Sequence, residues 1–413
     1  MTAASPSFGR SVMERLRQFA EFTEEPGKLT RHYLTPAHRK AAEQVLAWME
    51  QAGMTARIDA AGNVIGRHAG QTADAPVLIL GSHIDTVSDA GRYDGNLGVV
   101  AAIACVEALR TRGIRLPCAI EVAAFGDEEG VRFPVAMTGS RAYAGILPPA
   151  ALEATDRNGI SLKQALRDFG CDPEALPSAA RSRDGVLGYA ELHIEQGPVL
   201  EAEGLPVGIV TAINGASRYA VNVTGTAGHA GTVPMGLRHD ALAAAAAMAL
   251  AVETLALRTE DLLATVGAFA VAPGAANVIP GSVRFTIDMR SPFDAARNGA
   301  EQALKQELQS IATRRGVGMT FEKTHEAPAV ACSPDMMEVL EACVVRSGIR
   351  PRRLPSGAGH DGQSTAALGP IAMLFVRCKG GISHNPAEAI TEADAEIAVR
   401  VLYDFLIAFG GRG

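Results

Sequence analysis

The sequence predicts an α/β protein, in which an α/β sandwich domain is interrupted by an inserted ferredoxin-like α+β domain. Apolar runs at 76–80 and 120–125 end in Gly-rich loops and flank a helix, which is the alternation of an α/β sheet. From about residue 214 the order changes to β-α-β-β-α-β, which is that of a ferredoxin-like unit. The 413 residues, 47% of them hydrophobic, suffice for two cores. We place the first domain at 1–213 and 330–413, and the insert at 214–329.

The N-terminal part of the chain predicts two helices and a hairpin. Apolar residues recur at helical spacing from Ser11 to Phe22. Thr35 fits the N-cap, and Pro36 the first position, of a second helix that runs to about Gly53. Residues 54–58 and 63–67 are then predicted to form a hairpin around the turn Asp59-Ala60-Ala61-Gly62.

The remaining elements are predicted in chain order. A buried helix begins at Leu97 and stops at Gly113, and residues 151–185 are polar and helical with Pro and Gly breaks. The first domain also contains strands at 120–125, 188–193 and 371–376 and helices at 336–347 and 391–408. The insert contains strands at 219–224, 264–271, 282–289 and 319–325 and helices at 240–257 and 294–316.

Composition and charge argue against several classes of function. The net charge is -7 without a long run of one sign, which argues against a nucleic-acid partner. We expect no membrane span, since the Ala-rich run from Ala241 to Ala251 is too short, and no signal peptide at the N-terminus. The cysteines are scattered, which predicts free thiols in a reducing, cytoplasmic setting. They are Cys105, Cys118, Cys171, Cys332, Cys343 and Cys378.

The heptad Gly81-Ser82-His83-Ile84-Asp85-Thr86-Val87 follows the first apolar strand. In open α/β sheets ligands bind at the carboxyl ends of strands. His83 and Asp85 are two residues apart and point to the same side of the strand, so Asp85 is placed to accept the second ring N–H of a metal-binding His83. Taken alone, the heptad fits a buried structural His–Asp pair equally well.

Four further loops at strand ends carry candidate metal ligands, and this favours a metal site over a structural His–Asp pair. The candidates are His83, Asp94, Glu128, Glu129, His193 and His384. Histidine and carboxylate without thiolate suits Zn²⁺, Mn²⁺ or Co²⁺. Three histidines, a bridging aspartate and a glutamate suffice for two metals about 3.5–4 Å apart, which activate water and polarise a carbonyl.

The adjacent pair Glu128 and Glu129 has two interpretations. In a loop, neighbouring side chains diverge, so one carboxylate can ligate a metal while the other acts as general base. A lone acidic run such as Asp127-Glu128-Glu129 is more commonly a solvated turn. Its place directly after a wholly apolar strand favours the functional interpretation.

Six motifs together resemble the M20 metallopeptidase superfamily. They are GSHIDTV at 81–87, YDGNLGV at 93–99, EEG at 128–130, LHIEQGPVL at 192–200, GHAGTVPM at 228–235 and GISHNPAE at 381–388. They occur in order over nearly the whole chain. The chain is most similar to the branch of allantoate amidohydrolase, N-carbamoyl-L-amino acid hydrolase and β-ureidopropionase. His193 favours that branch over the aminoacylase and carboxypeptidase branches, which usually place a carboxylate ligand there.

The resemblance implies a set of metal ligands and a general base. It assigns one metal to His83, Asp94 and His193, and the other to Asp94, Glu129 and His384, with Asp94 as the bridge. Glu128 would be the general base, and Asp85 the partner of His83. The resemblance also implies a cis peptide bond between Asp94 and Gly95.

The resemblance further implies the residues that bind substrate. His229 in the insert would cross a dimer interface and stabilise the oxyanion in the partner's site, although a lone His in a Gly-rich loop more often has no role. Arg290 would clamp the substrate carboxylate with its planar fork. The other residues that would contact the substrate are Gln196, Asn277, Gly357, Ala358 and His360, and His360 fits a structural role equally well.

The expected protein is therefore a homodimeric amidohydrolase with a catalytic α/β domain, an inserted lid and dimerisation domain, and two divalent metals. It would cleave the ureido C–N bond of allantoate or an N-carbamoyl-L-amino acid and release ammonia and CO₂; N-carbamoyl-β-alanine also fits. An M20-type dipeptidase or aminoacylase is the alternative enzyme. A metal-free binding protein on the same scaffold is disfavoured because every ligand position is filled.

Overall fold

The computed structural model describes residues 7–412, which form two compact units. One unit comprises the residues up to Thr211 together with those from Ala331 onward, and the other comprises Ala212–Val330. These bounds lie within two residues of the predicted ones. The first predicted helix spans Gly9–Phe19 and is therefore shorter than expected at its C-terminal end.

The first unit is built on a nine-stranded mixed sheet. Its strands are β1 (Thr55–Ile58), β2 (Val64–His68), β3 (Val77–His83), β4 (Ala119–Phe125), β5 (Val186–Ile194) and β6 (Val207–Ile213), and later β13 (Val330–Ala331), β14 (Arg353–Ser356) and β15 (Ile371–Val376). The order is β1-β2-β4-β3-β5-β15-β6-β13, and β14 pairs with β6. The four central strands β4, β3, β5 and β15 are parallel. Their carboxyl ends therefore meet at one edge, where each is followed by a predicted ligand loop.

The helices of this unit cover a sheet that is too apolar to face water. They are α1 (Gly9–Phe19), α2 (Pro36–Gln51), α3 (Asn96–Thr111), α4 (Thr138–Tyr143), α5 (Leu162–Phe169) and α6 (Val199–Ala202), then α9 (Pro334–Arg346), α10 (Gly362–Thr365) and α11 (Glu392–Gly410). Strands β3, β4 and β15 are buried along their whole length. The predicted N-cap of α2 is confirmed, since the Thr35 side chain accepts the N–H of His38.

Several elements were not predicted from the sequence. Strand β6 lies in the apolar run Val207–Ile213, and it pairs antiparallel with β15. The short strands β13 and β14 flank it at the sheet edge, and they are too brief to leave a periodic signal. In the polar stretch 151–185 the structure has α5 and two 3₁₀ turns rather than a continuous helical region.

Arg31 is fully buried and ties α1 to the loops that carry the predicted ligands. Its Nε donates to the Ile84 carbonyl at 2.7 Å, between His83 and Asp85 in sequence. Its Nη1 donates to the carbonyls of Phe19 and Phe22 at 2.9 and 3.0 Å, and its Nη2 to Asn96 Oδ1 at 2.6 Å. The two Nη1 bonds serve carbonyls at and just after the end of α1, where a helix leaves carbonyls without intrahelical partners.

Replacing Arg31 is expected to destabilise the first unit strongly. Arg31→Met removes the donor of four hydrogen bonds and leaves the Ile84 carbonyl and Asn96 Oδ1 without this buried donor, so we expect a loss on the order of 4 kcal/mol in the free energy of unfolding. Urea denaturation measures it. Arg10→Met in α1 is the control, since Arg10 is exposed and pairs with Glu392 only at 3.8 Å; it is expected to cost under about 0.5 kcal/mol. Equal losses in both variants would contradict the assignment.

His38 is a buried histidine that makes stability depend on pH. Its Nδ1 accepts the N–H of Leu34 at 3.2 Å, and burial lowers the pKa of His38 to about 3. The unfolded chain, with a histidine pKa near 6.5, therefore binds the proton first, so stability falls as pH drops below about 6.5. We expect this one group to cost roughly 2 kcal/mol by pH 5.

The variant His38→Asn tests this pH dependence because its side-chain oxygen can still accept the Leu34 N–H. The wild type and His38→Asn are unfolded in urea, in the same chelator, at several pH values between 7.5 and 5. The difference between their free energies of unfolding should change by roughly 2 kcal/mol in favour of His38→Asn as pH falls. If the two free energies of unfolding change equally with pH, His38 is not the group that makes stability depend on pH.

The second unit is a four-stranded antiparallel sheet with two helices. Its strands are β7 (Gly215–Thr224), β8 (Gly228–His229), β9 (Leu263–Ala272), β10 (Val278–Ile279), β11 (Ser282–Ser291) and β12 (Gly318–Ala327), and its helices are α7 (Ala241–Arg258) and α8 (Asp294–Arg315). The main sheet has the order β12-β7-β11-β9, and β8 pairs separately with β10. The predicted ferredoxin-like order is confirmed.

Helix α7 is longer than the Ala-rich run and, by length and composition alone, apolar enough to cross a membrane. One such helix is a weak indication, because the core helix of a soluble domain passes the same test. The helix packs on β9, β11 and α8, and Ala244, Ala245 and Met248 lie in the core of the second unit. One side of the helix therefore packs within the second unit, while Leu250 and Leu257 are exposed.

Candidate metal centre

The carboxyl edge of the central sheet brings together all six predicted ligand and base residues. His83 ends β3 and His193 lies near the end of β5, while Glu128 and Glu129 follow β4. Asp94 lies in the loop before α3, and His384 in the loop after β15. His83, Asp94 and His193 form one group with ligand atoms within 4.8 Å of one another, and Asp94, Glu129 and His384 form a second.

Asp94 is the shared member of the two groups and divides its oxygens between them. Its Oδ1 lies 3.4 Å from His83 Nε2 and 3.1 Å from His193 Nε2. Its Oδ2 lies 3.4 Å from His384 Nε2, which is in turn 3.5 Å from Glu129 Oε2. Burial alone would raise the pKa of Asp94, but the three imidazoles around it, when they carry a proton on Nε2, outweigh burial and hold that pKa well below the usual range.

The donor set fits divalent cations. His83 Nδ1 is 3.0 Å from the Asp85 carbonyl, and His193 Nδ1 is 2.9 Å from the Ile194 carbonyl. A carbonyl only accepts, so in each neutral ring the proton is on Nδ1 and the lone pair is on Nε2. Both Nε2 atoms then face Asp94 Oδ1 with no proton between them and the carboxylate, although the Gly95 N–H reaches His193 Nε2 at 3.3 Å. A metal cation resolves this conflict.

Asp85 is bonded differently from the expectation. It is the main-chain carbonyl of Asp85, rather than its carboxylate, that receives the ring N–H of His83; the carboxylate Oδ1 lies 3.7 Å from that nitrogen. The carboxylate instead accepts the backbone N–H groups of Glu128 and Glu129, both at 3.2 Å. Asp85 therefore orients His83 through its backbone and holds the acidic loop through its side chain.

Glu128 and Glu129 diverge as expected for neighbours in a loop. Glu129 faces His384, while Glu128 Oε2 is 3.9 Å from His83 Nε2. Burial raises the pKa of Glu128 well above its usual value, and burial together with the Asp94 charge raises that of Glu129 to about 7. The turn begins at Asp127, whose φ of 68° starts the sharp bend after β4.

The expected cis peptide bond between Asp94 and Gly95 is wrong. Within residues 7–412 the recorded cis bond is Ala272–Pro273, and Asp94–Gly95 is trans. Gly95 instead takes a φ of 64°, and a Cβ there would overlap the ring of His83. The bend that brings Asp94 to both groups is thus made by a left-handed glycine.

Gln196 contacts the centre itself, where the sequence predicted a substrate contact. Its Nε2 donates to Asp94 Oδ2 at 2.8 Å and to Ser383 Oγ at 3.3 Å. Ser383 Oγ also lies 2.7 Å from Asp94 Oδ2 and 3.1 Å from Glu388 Oε2. Ser383 and Glu388 were not singled out from the sequence, although both lie within the motif at 381–388.

The loop after β14 brings His360 to the centre, where it packs on a ligand. The His360 ring meets the His193 ring edge-on with centroids 4.5 Å apart, and His360 Nε2 lies 2.7 Å from Ser356 Oγ. The Ala358 N–H, expected to face substrate, donates to Ser356 Oγ at 3.2 Å. The neighbouring Gly357 is exposed. In this arrangement His360 supports His193 from the side.

The predicted substrate residues of the second unit fall into two places. His229 and Asn277 are close together, since β8 pairs with β10 and the Ala230 N–H donates to the Asn277 carbonyl at 2.9 Å. Both residues are exposed. Arg290 lies near the far end of β11, where Asp288 on the same strand receives its Nε at 2.7 Å and its Nη2 at 3.1 Å.

The sheet edge gathers three imidazoles with the carboxylates of Asp94, Glu128 and Glu129, a donor set that suits divalent metal ions. The sequence profile described as peptidase family M20/M25/M40 matches residues 79–408. The chain belongs to this family.

Curated relatives and solved structures refine this assignment. An N-carbamoyl-L-amino acid amidohydrolase of Geobacillus stearothermophilus is 44% identical over 96% of this chain and 97% of its own. Allantoate deiminase 1 of Glycine max is 39% identical, over 96% and 88% of the two chains. The crystal structure of an amidase of the hydantoinase/carbamoylase family from Burkholderia multivorans superposes with a TM-score of 0.93, at 34% identity and 98% coverage of both chains. The chain is thus a hydrolase of C–N bonds other than peptide bonds.

Proposed function

We propose that this protein is a two-metal amidohydrolase that cleaves the terminal ureido C–N bond of N-carbamoyl-L-amino acids or allantoate. The observation that carries the proposal is the division of Asp94 between two ligand groups, His83 with His193 on Oδ1 and His384 with Glu129 on Oδ2. One bridging carboxylate with ligands on both sides is the arrangement that two neighbouring cations require.

The residues of the chain supply the proton transfers. His83, His193, His384, Glu129 and the shared Asp94 would hold two divalent cations, which would supply Lewis-acid charge for the ureido carbonyl and the attacking water. Glu128 belongs to neither of the two ligand groups that contain Asp94. It takes the proton of the water and delivers it to the departing nitrogen. Ammonia leaves, and the carbamate that remains loses CO₂ to give the free amine. The high pKa that burial gives Glu128 suits a group that must accept a proton.

Two copies of the chain are needed to complete one site. His229 and Arg290 lie toward opposite ends of β11, since Val278, the strand partner of His229, precedes β11 and Arg290 is its penultimate residue. The strand separates them by roughly 25 Å at 3.3 Å per residue, which is longer than a ureido-carboxylate. One copy therefore cannot place both residues on one substrate molecule. We assign Arg290 to the substrate carboxylate and His229 with Asn277 to the oxyanion in the partner's site.

The substrate class rests on the relatives. N-carbamoyl-L-amino acids and allantoate each combine a ureido group with a carboxylate, and the relatives that carry these names cover nearly the whole chain. The 44% identity to the N-carbamoyl-L-amino acid enzyme makes that substrate the first to test. The dipeptidase or aminoacylase alternative is less favoured because of His193. The aminoacylase and carboxypeptidase branches of the family usually carry a carboxylate at that position.

Steady-state kinetics test this proposal. The protein loaded with Mn²⁺, Zn²⁺ or Co²⁺ is assayed for ammonia release from several N-carbamoyl-L-amino acids, N-carbamoyl-β-alanine and allantoate, with a dipeptide as the comparison. We expect the highest kcat/KM on a ureido substrate and loss of turnover after chelation. A chain that binds two metals but releases ammonia from none of these compounds would refute the proposal.

The proposed location is the cytoplasm. All six cysteines are unpaired, and five of them, including Cys105 and Cys378, are buried as small apolar side chains in the first unit. Free buried thiols suit a reducing compartment. Fractionation of cells that express the untagged chain tests the location.

A further inference from the structure

We propose that Glu388 is a positioning residue that joins the loop of His384 to the loop of Asp94 and thereby sets the affinity of the second metal group. This inference rests on the two-metal centre proposed above. Glu388 lies four residues after His384, and its side chain is buried, with 4% of the residue exposed. It does not belong to any group of ligand atoms around Asp94.

The carboxylate of Glu388 accepts hydrogen bonds from both loops. Its Oε1 receives the backbone N–H of Tyr93 at 2.8 Å and that of Asp94 at 3.1 Å. Its Oε2 lies 3.1 Å from the hydroxyl of Ser383, the residue before His384. Breaking these bonds frees the main chain at Asp94 and the turn that presents His384.

The contacts act on one side of the bridging carboxylate. Ser383 Oγ, which Glu388 holds, lies 2.7 Å from Asp94 Oδ2, the oxygen that faces His384. Asp94 Oδ1 faces His83 and His193, which are fixed by buried strands. Half of the His384 side chain is exposed, so its position depends on the loop. Loss of Glu388 should therefore weaken the group of Asp94, Glu129 and His384 and spare the other.

Gly91 gives a second way to disturb the same carboxylate. A Cβ built on Gly91 would overlap the Cβ, Cδ and Oε1 atoms of Glu388. Gly91 has no positive φ, so alanine is accepted by the backbone there and its effect reports on the displaced side chain. Gly91→Ala and Glu388→Ala should thus have the same selective effect.

The test counts retained Co²⁺ in the full-length, metal-loaded protein during dialysis against increasing chelator. In the wild type we expect two ions per chain. Glu388→Ala and Gly91→Ala should keep the first ion at the wild-type chelator concentration and lose the second at a concentration roughly 10–100-fold lower. Glu388→Gln, whose amide oxygen can still accept both N–H groups, should stay within about threefold of the wild type.

Glu396→Ala is the matched control. Glu396 also accepts two backbone N–H groups, those of Phe8 and Gly9, but lies on α11. It should hold both ions as the wild type does. Equal retention of the second ion in Glu388→Ala, weakening of both ions together, or the same effect in Glu396→Ala would overturn the proposal. If Glu388→Ala does not fold, Gly91→Ala carries the test. A wild type that holds fewer than two ions would refute the two-metal centre itself.

Discussion

Glu128→Gln is expected to retain two bound metals and to lose turnover by roughly 10³-fold, within the range of 10²–10⁴ that a positioned general base contributes. Glutamine keeps the shape of the side chain and its capacity to accept a hydrogen bond, but it cannot take the proton of the attacking water. The backbone N–H of residue 128 still donates to Asp85, so the loop keeps its anchor. Metal content by elemental analysis and kcat by ammonia release measure the two expectations.

Glu129→Gln is the comparison that separates a base from a ligand. Glu129 faces His384 in the second group, so its replacement should weaken metal retention there. Added metal should then restore part of the activity of Glu129→Gln and none of that of Glu128→Gln. Rescue of both variants by metal would mean that Glu128 acts as a ligand and that the roles assigned to the two neighbours are wrong.

The positions of the two groups of candidate ligands were predictable because they depend on strand ends. His83, His193 and the pair Glu128 and Glu129 each follow an apolar run, and parallel strands bring such ends to one edge. The sequence motifs supplied the pairing of the residues into two groups. The fold followed from the same signal, since the order of apolar strands and amphipathic helices distinguishes the two domains.

The bonding partners within the centre were not predictable from spacing. Spacing places Asp85 beside His83, but the direction of the chain after β3 decides that the carbonyl meets the ring while the carboxylate turns to the acidic loop. Gln196 has a φ of 56°, a left-handed conformation without a sequence signal in glutamine, and its side chain reaches Asp94.

Buried polar residues that bond to the main chain were missed for a related reason. Arg31 and Glu388 are each satisfied largely by backbone carbonyls or N–H groups, which every residue offers. No complementary side chain elsewhere in the sequence marks such partners. Both residues tie together loops that are distant in sequence, and only the folded chain brings those loops into contact.

The assignment of His229 to the partner's site leads to a complementation experiment. His229→Ala removes the proposed oxyanion donor and Glu128→Gln removes the base, so each variant alone should be nearly inactive. In a mixed dimer, one site combines Glu128→Gln with the partner's altered residue 229, while the other site is intact in both. Activity should therefore reappear on mixing, although each parent lacks it.

The expected recovery can be stated in advance. Random exchange of equal amounts gives half mixed dimers with one intact site each, so the mixture should regain about one quarter of the wild-type activity. Co-expression with two different tags, followed by tandem purification, isolates the mixed dimer and should raise this to about one half. Arg290→Ala mixed with Glu128→Gln is the control, because the proposal assigns Arg290 and Glu128 of one chain to the same site: each of the two sites would then be defective and no activity should return. If His229 acted within its own chain, the first mixture would also stay inactive, and the separation of His229 from Arg290 along β11 would need another explanation.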